Sequence, residues 1–405
     1  MSIYSQVLPY DEHALTPTPW MPYVELYPLI VIIPAYGETD LNQVYRSLED
    51  CDYNERLSVI ILINESVSDT DHLKAINERA YQGISSIVQR AVHIDLYVFH
   101  IKDIIDKKAG VGLARRLAMD QAVLMAQSDQ TPIINLDADC IVNDSYLSAI
   151  NTFFKNHTNV ELANIHFEHP LEDDRIVQYE LHLRYYIEMQ RYIKLPYAYH
   201  TVGSSFAVRS KAYRSVGRMN LRKAGEDFYF IHKFTKKGTI DQCTKAVVYP
   251  SARESDRVPF GTGRAMLEMS EDHTYQTYSI QSLLDLRLLI NSVESLYQDG
   301  FRPDDIGDTS QSFIDFFRSI KIGESVEKIR ANTSTYDKFY KAFFQWFDAF
   351  KLMKYLHYMR DHQYPNKPVS MEALQLLITL GQTEESHSRD PKALLLIYRR
   401  LQFRG

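Results

Sequence analysis

The chain has 405 residues, enough for one large domain with an appended region or for two domains, and its composition is that of a soluble globular protein. Its 45 Lys and Arg against 52 Asp and Glu leave a formal charge of -7, which excludes a generalised polyanion-binding surface and argues against nucleic acid as a partner. Cys51, Cys140 and Cys243 are far apart and lack metal-type pairing, as expected of free thiols in a reducing compartment. No apolar run reaches the roughly 18 residues that cross a bilayer, and the start of the chain lacks a charged-then-apolar signal pattern. The expected location is the cytoplasm, with peripheral contact at the inner membrane face as the furthest extension. The 28 tyrosines suit sugar rings as well as ordinary cores.

After an irregular, Pro-containing lead over residues 1–27, residues 29–33 form an apolar run halted by Pro34, the pattern of a first buried strand. Pro34-Ala35-Tyr36-Gly37-Glu38 makes a loop, and residues 41–48 have helical spacing. A second strand at 59–63 ends in Asn64-Glu65-Ser66, and a helix follows over 70–89. A third strand at 93–99 leads to a helix over 110–126 and then to the apolar run Ile133, Ile134, Leu136, which ends in Asp137-Ala138-Asp139. Alternating strands and helices predict a parallel sheet with right-handed crossovers, whose ligands gather at the carboxyl ends of the strands. Two carboxylates one residue apart, with a small Ala between, can reach one hard cation or a ribose; the same spacing also suits a turn that caps the next helix.

Next come a helix, a strand at 161–167 and a long polar-aromatic helix at 174–194, with Tyr179, His182, Tyr185, Tyr186, Glu188 and Arg191. It reads as an amphipathic cover for the sheet, with a direct substrate role as the alternative. Residues 197–208 return to a strand through His200-Thr201-Val202-Gly203-Ser204-Ser205. Glu226-Asp227 then opens a helix that stops at Gly238. Acidic residues suit a helix start, and they also supply a candidate base for metal-assisted transfer. Gly261 and Gly263, flanked by Arg257 and Arg264, suit either a loop closing over phosphates or a solvated turn. Beyond residue 281 strand signals vanish and helices are expected at 282–297, 312–320, 336–359 and 371–380. The aromatic stripe Tyr336, Phe339, Tyr340, Phe343, Phe347, Phe350 reads as packing surface, or as a docking face beside Lys338, Lys341, Lys351 and Lys354.

These segments, in this order, resemble the family 2 glycosyltransferases of the GT-A fold. Pro34-Ala35-Tyr36-Gly37-Glu38 resembles the family's opening Pro-x-Tyr-Asn-Glu, Gly112-Leu113-Ala114-Arg115 its third-helix entry, and Asp137-Ala138-Asp139 its Asp-x-Asp. Gly203-Ser204-Ser205-Phe206-Ala207-Val208-Arg209 resembles its acceptor-side strand and Glu226-Asp227 its Glu-Asp pair. The resemblance covers roughly residues 28–265. It implies a Rossmann-like, mostly parallel α/β sheet flanked by helices, as a catalytic domain over 28–270 before a helical region over 271–405. It further implies an inverting transferase that uses a nucleotide-diphosphate sugar, UDP-linked by the family's habit, and Mn²⁺ or Mg²⁺. Pro34, Ala35, Tyr36, Glu38, Asn64 and Glu65 would face the nucleoside, and Asp137, Ala138 and Asp139 the ribose and the metal. Asp227, with Glu226 beside it, would deprotonate a glycan or glycoconjugate acceptor. Lys108, Arg115 and Arg257 are phosphate candidates; His200, Gly203, Ser204, Ser205, Arg257 and Arg264 are acceptor-side or loop candidates. Asn64-Glu65-Ser66 stands where the family usually has Asp-Gly-Ser, and the Gln-x-x-Arg-Trp signature of processive members is absent, so addition of a single sugar is expected.

Two other functions fit parts of the pattern. A sugar-phosphate nucleotidylyltransferase also uses metal-binding aspartates on such a sheet, but the loop after the first strand is acidic rather than Gly-rich and basic. A non-catalytic nucleotide-sugar-binding scaffold would gain nothing from two acidic pairs in one cleft.

Overall fold

The isoleucine-rich runs become the middle of a sheet. The computed structural model describes residues 3–9, 20–21, 24–255, 261–269, 274–300, 309–382 and 388–403. Its order is β1 (Ile3–Pro9), β2 (Ile30–Ala35), α1 (Asn42–Glu49), β3 (Leu57–Ser66), α2 (Asp71–Ser85), β4 (Ile94–Ile104), α3 (Val111–Met125), β5 (Pro132–Asn135), β6 (Cys140–Val142), α4 (Tyr146–Asn156) and β7 (Leu162–Phe167). Then come α5 (Asp174–Tyr192), β8 (Phe206–Arg209), α6 (Ser210–Ser215), α7 (Glu226–Lys237), β9 (Ile240–Pro250) and α8 (Thr262–Glu268). The chain divides into two units, Met1–Pro170 with Thr201–Arg264, and Leu171–His200 with Ala265–Gly405.

In the first unit the described strands form one nine-stranded sheet in the order β1-β4-β3-β2-β5-β8-β7-β9-β6. Strands β1 to β5 pair in parallel, as do β7 and β9; β8 runs antiparallel to β5 and β7, and β6 antiparallel to β9. The mixed, mostly parallel α/β sheet flanked by helices is the one expected. Residues Ile30 to Ile33 are fully buried because helices cover both faces of a parallel sheet. Helix α3 packs on β2, β3 and β5, α2 on β3 and β4, and α4 on β7 and β9. Strand order reverses between β2 and β5, so the loops after these two strands meet where a doubly wound sheet binds its ligand.

The sequence reading is corrected in four places here. The irregular lead contains β1, an edge strand in register with Leu96 to Lys102. Strand β9 and the short β6 had no expectation at all, and β8 begins only at Phe206, after the Gly203-Ser204-Ser205 turn.

The second unit continues with β10 (Gln276–Thr277), α9 (Ile280–Asn291), α10 (Val293–Asp299), α11 (Gln311–Ser319), α12 (Ile322–Ala331), α13 (Tyr336–Trp346), α14 (Ala349–His362), β11 (Lys367–Pro368), α15 (Val369–Thr379) and α16 (Pro391–Phe403). It is helical, as expected, save for the antiparallel pair β10 and β11. Instead of starting near residue 271 it includes α5, which packs against α9, α15 and α16. Its charged positions explain this: Glu180 and Arg184 are fully buried, with Glu180 accepting from Arg184 Nε at 2.7 Å and from Arg399 Nη2 at 2.7 Å. The aromatic stripe splits at Asp348, whose side chain caps α14 by accepting from Lys351 N–H. Phe339, Phe343 and Phe347 are fully buried, so this part of the stripe is core and not a docking face. No helix among the described residues is long and apolar enough to cross a membrane.

Candidate active site

The turn after β5 is pinned on both sides. Leu136 N–H donates to Ile32 O on β2 (3.1 Å), Cys140 N–H to Asp137 O (3.2 Å) and Ser251 N–H to Asp139 O (3.2 Å). This fixes Asp137 and Asp139 at the switch point of the sheet, with buried Ala138 between them. Gly225, in the left-handed conformation at φ 71°, precedes α7 and lets that helix begin on Glu226 and Asp227.

Arg115, on the first turns of α3, joins the two acidic pairs. Its Nη2 donates to Asp137 Oδ1 (2.6 Å), its Nε to Glu226 Oε1 (3.0 Å) and its Nη1 to Gly203 O (2.9 Å). The side chain is 3% exposed. Burial alone would favour the neutral guanidine, but Asp137, Glu226 and Asp227 outweigh it and hold Arg115 charged. Gly203 closes this arrangement: a Cβ there would sit 2.5 Å from Arg115 Nη2 and 3.2 Å from Asp227 Oδ2. Gly203→Ala is therefore expected to cost about 1–3 kcal/mol, since a guanidinium fixed by three partners cannot retreat. Urea denaturation measures the loss, and an unchanged midpoint would show that Arg115 yields.

Asp227 is pushed up to about 7, chiefly by burial and then by the charge of Glu226; Arg115 and the Phe228 N–H, which donates to Asp227 Oδ1 at 2.7 Å, pull it partly back. A carboxylate that titrates near neutrality is poised to accept a proton. Asp139 is pushed up to about 6 by burial, then by Asp137, against the pull of Arg253. Arg253, three residues past β9, holds Glu38 with both terminal nitrogens, one at 2.6 Å, and lies 3.1 Å from Asp139 Oδ2. Glu38 and Asp139 are thereby brought together from loops far apart in sequence.

A divalent cation fits these residues in one way. The charge of Asp137 is felt at Asp139, second to burial, and a bound cation would offset both carboxylates. Among the described residues, however, no group of three or more His, Cys, Asp or Glu could cage an ion. An ion held by Asp137 and Asp139 would need its remaining ligands from substrate oxygens and water.

At the ends of β2 to β4 the expected nucleoside side takes a different form. Tyr36 OH donates to Asp69 Oδ1 (2.6 Å), and Gly37 N–H to Asn77 Oδ1 (2.8 Å), so the loop opened by Pro34 and Ala35 is tied to α2 and its approach. Glu65 faces inward, 3.1 Å from Nε2 of the fully buried His100, while Asn64 is buried at the neighbouring position of β3. Burial lowers the His100 pKa and keeps the ring neutral, so Glu65 is engaged within the fold.

No family model and no curated protein matches this chain. Among solved structures it is similar to S. aureus TarS, at 15% identity and a TM-score of 0.40 over 74% of this chain and 55% of that one. It is also similar to S. aureus TarS 1-349 in complex with UDP-GlcNAc (14% identity, TM-score 0.39, 92% of this chain and 91% of that one). The complex of TarS 1-349 with UDP gives 14% identity and a TM-score of 0.36 over 93% and 92% of the two chains. This chain spans 55% of the length of the first of these.

Of the other expected residues, Ser204 and Ser205 are buried in the turn before β8, with their hydroxyls 3.3 Å apart. His200 belongs to the second unit, where its Nε2 lies 2.9 Å from Gln402 Oε1. Lys108 sits in the turn after β4, its N–H donating to Ile105 O, and Arg264 lies in α8. Arg257 falls outside the described residues. Sequence reasoning gave no role to Arg253, Asp69, Asn77 or His100. The signal for Arg253 was the arginine-bearing segment just after β9; the others carried none, because their partners lie on different strands and helices.

Proposed function

We propose that this protein is an inverting glycosyltransferase of the GT-A type, similar to family 2, moving one sugar from a nucleotide-diphosphate sugar to the hydroxyl of a glycan or glycoconjugate. The observation that carries this reading is Arg115, which locks Asp137 at the switch point to Glu226 and leaves Asp227, titrating near 7, at the Gly203 edge. A ligand-binding carboxylate and a proton acceptor thus meet within one rigid group.

In the proposed reaction the acceptor hydroxyl gives its proton to Asp227 as its oxygen bonds to the anomeric carbon. The bond from that carbon to the diphosphate oxygen breaks, and the nucleoside diphosphate leaves with the electron pair. Glu226 and Arg115 position Asp227 and Asp137. Asp137 takes the ribose, and Asp137 with Asp139 would hold Mn²⁺ or Mg²⁺, which when bound supplies positive charge to the leaving diphosphate. Arg253 keeps Glu38 and Asp139 together beside that charge. Tyr36 and Asn64 border the nucleoside, for which UDP is the first choice from the family resemblance. A non-processive cytoplasmic enzyme of polysaccharide or glycoconjugate synthesis fits this reading.

A panel of nucleotide sugars with Mn²⁺ or Mg²⁺ tests it by donor hydrolysis or transfer. The cognate donor at 100 times its dissociation constant is expected to add about 2.7 kcal/mol of stability, seen as a rise in melting temperature. No shift with any donor would remove the nucleotide site. Pyrophosphate release from a nucleoside triphosphate would instead mark a nucleotidylyltransferase.

A further inference from the structure

The nine-stranded sheet ends differently at its two edges. On one side β6 has three residues, with Cys140 and Val142 buried, too little backbone to template another strand. On the other, β1 runs for seven residues beside β4, and among the described residues no backbone pairs with its outer side. Such an edge invites pairing with another chain, and proteins that stay single block it with charge, a bulge or an interior proline. Strand β1 has none of these. Ile3-Tyr4-Ser5-Gln6-Val7-Leu8 is uncharged, its register against Leu96 to Ile101 is unbroken, and its one proline is the terminal Pro9.

The register decides which side chains stand at this edge, because side chains alternate between the two faces of a sheet and paired residues share a face. Tyr4 shares that of Tyr97 and Phe99, whose rings lie 6.2 and 6.0 Å from its own. Trp20 covers this face, 5.0 Å from Phe99 between ring centroids, and its carbonyl accepts from Tyr4 OH (3.3 Å). Val7 and Pro9 share the face of His100 and Lys102, which α2 covers. There Tyr81 lies 5.7 Å from His100 between ring centroids, and Lys102 Nζ donates to Glu78 Oε2 (2.8 Å). Helix α2 stops short of the edge itself: Ser5, Val7 and Pro9 are exposed, Val7 by 43%. The strand thus carries a shelf of small uncharged side chains beside a helix.

We propose that β1 pairs antiparallel with β1 of a second copy of this chain, about a two-fold axis at Gln6, and joins the two sheets into one. This register alone uses all seven residues of the strand. It sets Tyr4 opposite Leu8 of the second copy, an aromatic-aliphatic pair, and Ser5 opposite Val7 of the second copy, which covers the exposed valine. The two α2 helices then run antiparallel on either side of the shelf. Their exposed charges include both signs, Asp71 in the first turn and Arg79 about two turns on, so no wall of like charge keeps the copies apart. A two-fold contact uses both edges at once and closes, so association stops at two copies. Seven residues a side fall short of the roughly 20–30 of a stable interface, so the dimer is a reversible one with a dissociation constant of about 1–100 µM.

Sedimentation velocity of the full chain between about 1 and 300 µM tests this, and the sedimenting mass is expected to rise toward that of two copies. Val7→Lys sets two ammonium groups diagonally across the axis and should weaken the dimer at least about tenfold. Ser5→Glu/Val7→Lys sets each introduced carboxylate opposite the introduced ammonium of the second copy, and should return the dissociation constant to within about threefold of wild type. Position 7 is exposed, so the fold should tolerate the change. Should Val7→Lys fail to fold, hydrogen exchange of wild type decides: amides at 3–8 are expected to exchange more slowly at high protein concentration than at low. A wild type that stays single throughout the range would overturn the proposal and leave the edge to a strand of another protein. So would an unweakened Val7→Lys dimer, growth past two copies, or exchange that ignores concentration. A double variant that fails to recover would overturn the register at Gln6.

Discussion

Asp227→Asn is expected to lower sugar transfer by about 10²–10⁴-fold while making the folded protein more stable near neutral pH. The two effects share one cause. In the folded protein the Asp227 carboxyl keeps its proton up to about pH 7, against 3.8 for the ordinary side chain, because burial and then Glu226 oppose its charge. Between those values the folded state binds a proton that the unfolded state has released. The stability contributed by this group is therefore fully present below the lower value and is lost as pH rises through about 7. The amide does not titrate, so the variant should match wild type at acid pH and exceed it above neutrality. Transfer runs the opposite way: only the ionised carboxylate takes a proton, so wild-type kcat/KM should fall as pH drops below about 7. Melting temperatures and rates across the same pH series check both. Full transfer by the variant would end the assignment of Asp227 as base, and a stability difference that ignores pH would mean that its carboxyl is not held protonated.

How much of this was visible in the sequence differs between elements for physical reasons. Strands β2, β3 and β5 are covered on both faces, so their apolar runs are unbroken and their positions were legible. Strand β9 alternates polar and apolar residues irregularly, with Asp241 and Tyr249 exposed and a register shift against β7, and no periodicity marked it. Helix α5 hid its buried face because that face is built on Glu180 and Arg184, which a hydrophobic pattern counts as surface. At the candidate site, Asp137 and Asp139 were legible from a strand end and a spacing, and Glu226-Asp227 from a helix start. The ion pairs that organise them were not. Arg253 and Glu38 stand 215 residues apart, and a charge partner at that distance leaves no local trace. Glu65 was expected to face the nucleoside; it lies two residues past Ile63, the register partner of His100, at the irregularity between Asn64 and Ser66, and from there its carboxylate reaches the buried imidazole.

Arg115→Met is expected to cost about 3–5 kcal/mol, a large part of the roughly 5–15 kcal/mol that holds a domain folded. The side chain fits Met by length and flexibility, so the loss is not one of volume. It arises because Glu226, with a side chain 4% exposed, loses the partner at 3.0 Å that justified its charge, and Asp137 loses one at 2.6 Å. Glu226 must then stay ionised without compensation or take up a proton. Adding Glu226→Gln removes that burden, so Arg115→Met/Glu226→Gln should be less destabilised than the sum of the two single variants. Urea denaturation of the four proteins gives the coupling. Transfer should remain low in the double variant, because a neutral pair no longer fixes Asp137 beside the donor or raises Asp227 through the Glu226 charge. In the single Glu226→Gln variant, which keeps the pull of Arg115, the Asp227 titration should move below its value near 7, since one of its two largest causes is gone. Strictly additive losses would mean that Arg115 and Glu226 act separately, and the two acidic pairs would then have to be held together by the backbone alone.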